Sequence, residues 1–258
     1  MPTTDPPTPL MPLTFYTFSS PPRFYALAGT LVPVFWVACA VLAGFGLWIG
    51  FFVAPTDATQ GEVYRIIFIH VPVAWMSMLL YLVMAFWAAI GWAFKARLAS
   101  MVARAIAPTG AMFTFLALWT GALWGKPTWG TYWVWDARLT SELILLFLYL
   151  GYIALTEAID DVRRADQAGA LLAVVGAVNV PIIYFSVKWW NTLHQGASVS
   201  LTAAPKMAST MLTAMLIMTF ACWAYAFAVV FMRTRALILE RERDAGWVAE
   251  LSARSADR

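Results

Sequence analysis

Six stretches of this chain are apolar over a length that crosses a lipid bilayer, and that dictates the class of fold before any motif is read. The hydrocarbon layer is about 30 Å thick and takes about 20 residues of helix. The runs lie near residues 25–53, 72–94, 105–123, 143–159, 170–187 and 207–232, the fourth and fifth being short for a full crossing. Backbone polar groups that face lipid must be satisfied within their own segment, which selects helices. Composition agrees, because 62% of the 258 residues are hydrophobic and only 12% are charged. A soluble domain is nearer half apolar and a quarter charged. The expected fold is an all-α integral membrane protein of six transmembrane helices.

The connections divide into two sets by charge. One side collects Arg23, Lys95, Arg97, Arg104, Arg163, Arg164, Arg233, Arg235, Arg241, Arg243, Arg254 and Arg258, which is 12 of the 17 Lys and Arg. The other holds Arg65, Lys126, Arg138, Lys188 and Lys206. Lys and Arg concentrate on the cytoplasmic side of membrane proteins. Both termini are therefore expected inside, and the connections after the first, third and fifth helices outside. Residues 1–24 are rich in Pro, Thr and Ser and have no basic start before an apolar run. They read as a flexible cytoplasmic tail and not as a cleaved signal peptide. Residues 25–232 form the membrane domain. Residues 233–258 read as a charged cytoplasmic tail able to form a solvated helix over about 237–251. Cys39 and Cys222 lie inside apolar runs and form no CxxC, so each reads as a small buried apolar residue.

The second outer connection, placed at 124–140, is the most unusual segment. It runs Trp124-Gly125-Lys126-Pro127-Thr128-Trp129-Gly130-Thr131-Tyr132-Trp133-Val134-Trp135-Asp136-Ala137-Arg138-Leu139-Thr140. Indole is a large flat apolar surface with one N–H at its edge. Four indoles in a loop make a poor surface for water and a good shelf for a flat apolar ligand. The chain has two histidines, His70 and His194. The six-helix topology puts both on the same outer face as this loop.

Two imidazoles beside a flat aromatic shelf suit heme. Heme iron takes two axial ligands, and neutral imidazole is a common one. Indoles can abut the porphyrin, and the anionic propionates call for cations such as Arg138, Lys126, Lys188 or Arg65. Two histidines limit the chain to one bis-histidine heme. Each part also has a plainer reading. Trp and Tyr form belts at both membrane interfaces, and a belt accounts for Trp48, Trp75, Trp92, Trp119 and Trp124. It accounts less well for Trp129, Trp133 and Trp135, which crowd one side. A histidine at a wet boundary can be no more than a polar residue there. Asp136 can simply cap the following helix, with Thr140 or Ser141 as rivals, and Glu142 then sits in its first turn.

The 124–140 run resembles the "WWD" signature of heme-handling membrane proteins. Tyr64-Arg65-Ile66-x-x-Ile69-His70-Val71-Pro72 and Trp189-Trp190-x-x-Leu193-His194-Gln195 are likewise similar to the CcmC family of cytochrome c maturation. The resemblance covers nearly the whole chain, from the first helix to the sixth. The Trp motif alone is shared with the cytochrome c heme-lyase proteins, but those are longer and carry more histidines. The resemblance implies a holding site for heme b, transiently bound, and not a catalyst. His70 and His194 would be the axial ligands, and Trp124, Trp129, Trp133, Trp135 and Asp136 the shelf. It implies a bacterial inner membrane protein whose site faces the periplasm and which helps load heme onto a membrane-anchored chaperone, CcmE. An ABC-type pair, CcmA with CcmB, would supply ATPase activity, and a small membrane protein, CcmD, would complete the assembly. The expected partners are these proteins and the lipid bilayer, with no nucleic acid.

Two other classes stay open. A heme b oxidoreductase subunit acting on quinones usually buries paired histidines within its helices, whereas neither histidine here is mid-membrane. A permease that moves heme through itself would show a track of ionisable residues, and the spans offer only Glu157 near an end and Asn179 mid-helix. The run Gly121–Pro127 has the wrong glycine spacing for a phosphate-binding loop.

Overall fold

The computed structural model describes residues 20–194, 199, 204–205 and 207–256. The expected tail before residue 20, together with Gln195 and Lys206, lies outside the described residues. Among these residues the secondary structure is helical throughout. We label α1 as Pro21–Trp48, α2 as Ile67–Phe94, α3 as Arg97–Trp129, α4 as Ala137–Ala158, α5 as Val162–Gly176, α6 as Asn179–Trp189, α7 as Ser209–Arg241 and α8 as Gly246–Ala256. A π-helical turn, Ile49–Val53, continues α1, and a 3-10 turn, Glu62–Ile66, leads into α2. Six helical segments are long and apolar enough to cross a membrane, as the six runs predict.

The spans extend beyond the apolar runs because helices continue into the interface where lipid no longer dictates composition. The third reaches from Arg97 to Trp129, through Pro108 and Pro127. It stops at Gly130, whose φ of +81° and N–H bond to Lys126 O (3.0 Å) end the helix in the left-handed conformation that glycine adopts without strain. The next helix begins at Ala137. The loop expected over 124–140 is therefore only residues 130–136, and Trp124 and Trp129 are helical. Proline at 127 suggests an earlier end, but it removes one hydrogen bond only and the interface tolerates it. At the other end of the chain, the expected tail helix is two pieces. Residues 237–241 belong to α7, and α8 starts afresh at Gly246.

The core is built from α2 to α5, joined by Val180 and Ile183 of α6 and Ala226 and Val230 of α7. Small residues on α3, including Ala103, Ala107, Ala111 and Ala117, are buried and let the helices approach closely. Tyr149 of α4 lies against bare Gly110, where a Cβ would come within 2.2 Å of its ring, and its hydroxyl donates to Ser77 O at 2.8 Å. The fifth span is broken at Ala177–Val178, between α5 and α6. There the Tyr81 hydroxyl sits 2.2 Å from where a Gly176 Cβ would be, and Asn179 Nδ2 donates to Ser141 O at 2.9 Å. The first span stands apart. It packs on α7 and shows Val34, Val37, Val41 and Phe45 outward. Phe24 meets Phe231, and the Arg235 guanidinium lies over the Tyr25 ring at 4.2 Å, so the start of α1 and the end of α7 share one end of the bundle.

Candidate functional site

The opposite end holds both histidines. Its first connection is shaped by Asp57, whose Oδ1 accepts from the N–H groups of Thr59 (2.9 Å) and Gln60 (2.8 Å). Gly61, at φ +60°, then turns the chain into the 3-10 segment. This places the Gln60 side-chain carbonyl to accept from Trp124 Nε1 at 2.8 Å. Arg65 fastens the same connection. It pairs with Glu62 and donates to Gly50 O (2.6 Å) and Ala54 O (3.1 Å). Arg65 is thus spent on structure. Lys126 donates to Gly130 O at 3.1 Å, and Lys188 lies over the Phe185 ring.

His70 sits in the first turn of α2 and is partly buried. Its ring meets Trp124 edge-on at 5.6 Å, and its Nδ1 is 3.0 Å from Thr120 Oγ1. Gly121 leaves room for the imidazole, since a Cβ there would lie 3.0 Å from Cε1. His194, in the connection after α6, meets Trp129 edge-on at 4.8 Å. Each histidine therefore rests on one tryptophan of the last turns of a single helix, α3. These two indoles are walls for the imidazoles and not an open loop shelf.

Asp136 is the N-cap of α4. Its Oδ1 accepts from Leu139 N at 2.8 Å, while the rival Ser141 hydroxyl donates back to Ala137 O at 2.6 Å. The capping reading is therefore right, and it accounts for one oxygen. The other, Oδ2, is 3.8 Å from His194 Nδ1. Arg138, in the first turn of α4, is partly buried and donates to Ile183 O at 3.1 Å, tying α4 to α6. Trp133 and Trp135 cross at 5.3 Å, with Trp135 77% exposed and Trp133 partly buried. Among the described residues, three buried polar atoms here have no hydrogen-bond partner: Trp133 Nε1, Asp136 Oδ2 and His194 Nδ1. Buried polar groups are almost always satisfied; here Asp136 Oδ2 and His194 Nδ1 face each other at 3.8 Å, and with Trp133 Nε1 they form one cluster of open donors and acceptors.

Burial holds the His194 imidazole down, from its usual 6.5 to about 4, with help from the Arg138 charge and against the pull of Asp136. The ring is neutral at neutral pH and keeps a lone pair for a metal. Thr120, Gly121 and Gln60 are the members of this site that sequence reasoning missed. Thr120 precedes Trp124 by four residues, one face of a helix, and that signal is legible only once α3 is known to run on through Pro127.

The fold and this end of it define a class: a polytopic helical membrane protein with a two-histidine, tryptophan-walled site at one interface. Residues 14–249 match the family model described as heme exporter protein C, CcmC. The chain is 46% identical to heme exporter protein C of Escherichia coli strain K12, over 92% of this chain and 96% of that one. It is 45% identical to the Bradyrhizobium diazoefficiens protein of that name, over 89% and 85% of the two chains. It is 43% identical to a putative cytochrome c biosynthesis ccmC-like mitochondrial protein of Marchantia polymorpha, over 78% and 85%. The chain belongs to the heme exporter protein C family.

Proposed function

We propose that this protein holds heme b at the outer face of a bacterial inner membrane, clamped between His70 and His194, and helps load it onto a membrane-anchored heme chaperone of the CcmE type. The observation that carries this reading is the convergence of the chain's two histidines on Trp124 and Trp129 of one helix, beside three unsatisfied buried polar atoms. The chemistry of the donors fits the cargo. Among the described residues no three His, Cys, Asp or Glu converge, so a metal bound here must bring most of its ligands with it, as porphyrin iron does. Exposed Trp135 offers a flat apolar face, and Arg138 is the cation best placed for a propionate. A heme held at the interface can be reached by a second protein, whereas one buried among the spans could not. The protein would hold and deliver, and an ABC-type CcmA–CcmB pair with the small CcmD would supply the energy and complete the complex.

Absorption spectra of the purified protein test the holding role directly. A six-coordinate bis-imidazole spectrum is expected, decaying when the chaperone is added. A heme that stays bound and passes electrons to a quinone would favour the oxidoreductase reading instead. Orientation is tested with a reporter active only outside the membrane. It should work when fused after Gly130 and fail after Arg164, and activity at Arg164 would reverse the site's facing.

A further inference from the structure

Resting on that two-histidine reading, we infer that the two imidazoles are unequal ligands by construction: Asp136 is a positioning residue that makes His194 the anchoring ligand, and Thr120 leaves His70 the exchangeable one. A histidine that binds iron through Nε2 must carry its proton on Nδ1, and what accepts that proton sets the ligand's basicity. Thr120 Oγ1 has one proton, and it is directed at carbonyl oxygens, Leu116 O at 2.6 Å or Ala117 O at 3.4 Å. Carbonyls only accept, so the hydroxyl oxygen must in turn accept from His70 Nδ1, 3.0 Å away. His70 is thereby set in the tautomer that frees Nε2, behind a neutral acceptor.

His194 faces a different partner. Asp136 is pinned to the start of α4 by its Oδ1 bond to Leu139 N, which leaves Oδ2 aimed at the connection that carries His194. Oδ2 and His194 Nδ1 are both buried, and among the described residues neither has a hydrogen-bond partner. They stand 3.8 Å apart, about 1 Å beyond a hydrogen bond, a gap that ligation of iron by His194 would close. A hydrogen bond to a carboxylate is about twice as strong as one to a neutral acceptor, and it gives the imidazole partial anionic character and a stronger bond to iron. On release, the hydroxyl-backed ligand is the one that parts from the iron first, and heme stays held by His194 until the partner takes it. The inequality gives the hand-over an order.

The test uses the full-length protein in detergent, loaded with heme and reduced, read by the iron–imidazole stretching band in resonance Raman spectra. In His70→Ala the heme is held by His194, and in His194→Ala by His70. The His194-held band is expected at the higher frequency. Asp136→Asn, which keeps the cap but removes the charge, should lower that band in the His70→Ala background and leave the His70-held band in place. Equal frequencies, or a His194-held band indifferent to Asp136→Asn, would overturn the inequality while leaving two-histidine ligation intact. No iron–imidazole band in either single-histidine variant would overturn the ligation itself. Should a single-histidine variant hold too little heme to measure, the midpoint potential with both histidines present decides. Asp136→Asn should raise it by more than Thr120→Val changes it, and the reverse order would sink the proposal.

Discussion

The two ends of the bundle are built to different standards of satisfaction. At the end where α1 starts and α7 stops, Arg241 donates to both oxygens of Asp166 at 2.8 Å, Asp161 caps α5 through Arg164 N at 2.7 Å, and Trp247 Nε1 donates to Glu242 at 2.9 Å. At the histidine end, three of the five buried polar side-chain atoms without partners among the described residues lie within one small cluster. Large indoles are also left in the open there. The tail end has one orphan of its own, Arg235 Nε, but its Asp166 carboxylate is paired, whereas the histidine end leaves a carboxylate, an imidazole and an indole open side by side. The contrast shows where the chain gives up local stability for binding.

The sharpest way to break this comparison is to remove the histidines. His70→Ala and His194→Ala should each convert the six-coordinate heme spectrum to a ligand-deficient one. The loss of retained heme should exceed the roughly 10- to 100-fold typical of losing a ligand's hydrogen-bond partner. Added imidazole should restore ligation in both. Expression should be unchanged, because neither ring is part of the packed core. An unchanged spectrum in either variant would take that histidine off the iron.

The tail end should answer oppositely. Arg241→Ala leaves the Asp166 side chain, only 17% exposed, without this partner, and should lower stability by about 2 kcal/mol. That is below the ~3–5 kcal/mol of a fully buried pair, because both side chains keep some water. The heme spectrum of the surviving protein should be unaltered, as thermal unfolding and absorption measured together would show. A spectral change would mean that the ends are coupled.

A smaller effect is expected from Trp133→Ala with Trp135→Ala. The protein should accumulate normally and lose heme affinity by about 1–2 kcal/mol, at the low end of the ~1–3 kcal/mol per stacked ring seen for flat bases on aromatics, because Trp135 is so exposed. Failure to accumulate would make these indoles structural and erase the contrast between the ends.

The mildest test is pH. His194 is depressed in the folded protein from 6.5 to about 4 by burial and the Arg138 charge. Unfolded chains bind that proton more readily, so its share of stability is full above 6.5 and is lost as pH falls toward about 4. The lone pair survives over the same range. Heme retention should be flat from about pH 7 to about pH 5 and fall as pH nears 4. A loss centred near the usual histidine value would mean that the ring is wetter than its surroundings indicate.

Much of this architecture was legible in the chain itself. Hydrophobic length is a local property, so six apolar runs announce six spans, and the even count places the His70, tryptophan and His194 segments on one face. What the runs could not tell was where helices end once they leave the lipid. Composition stops constraining the backbone there, and so Trp124 and Trp129 read as loop when Gly130 is the true stop. Tertiary structure decided only part of the break between α5 and α6: Tyr81 from another helix occupies the space over Gly176, but Pro181 also lacks the N–H that would bond Ala177 O. Tertiary structure alone gave Asp136 its second role. The cap follows from a residue's position in its own helix, but the meeting of Oδ2 with His194 depends on how two connections, far apart in sequence, are brought together by the packing of the spans beneath them.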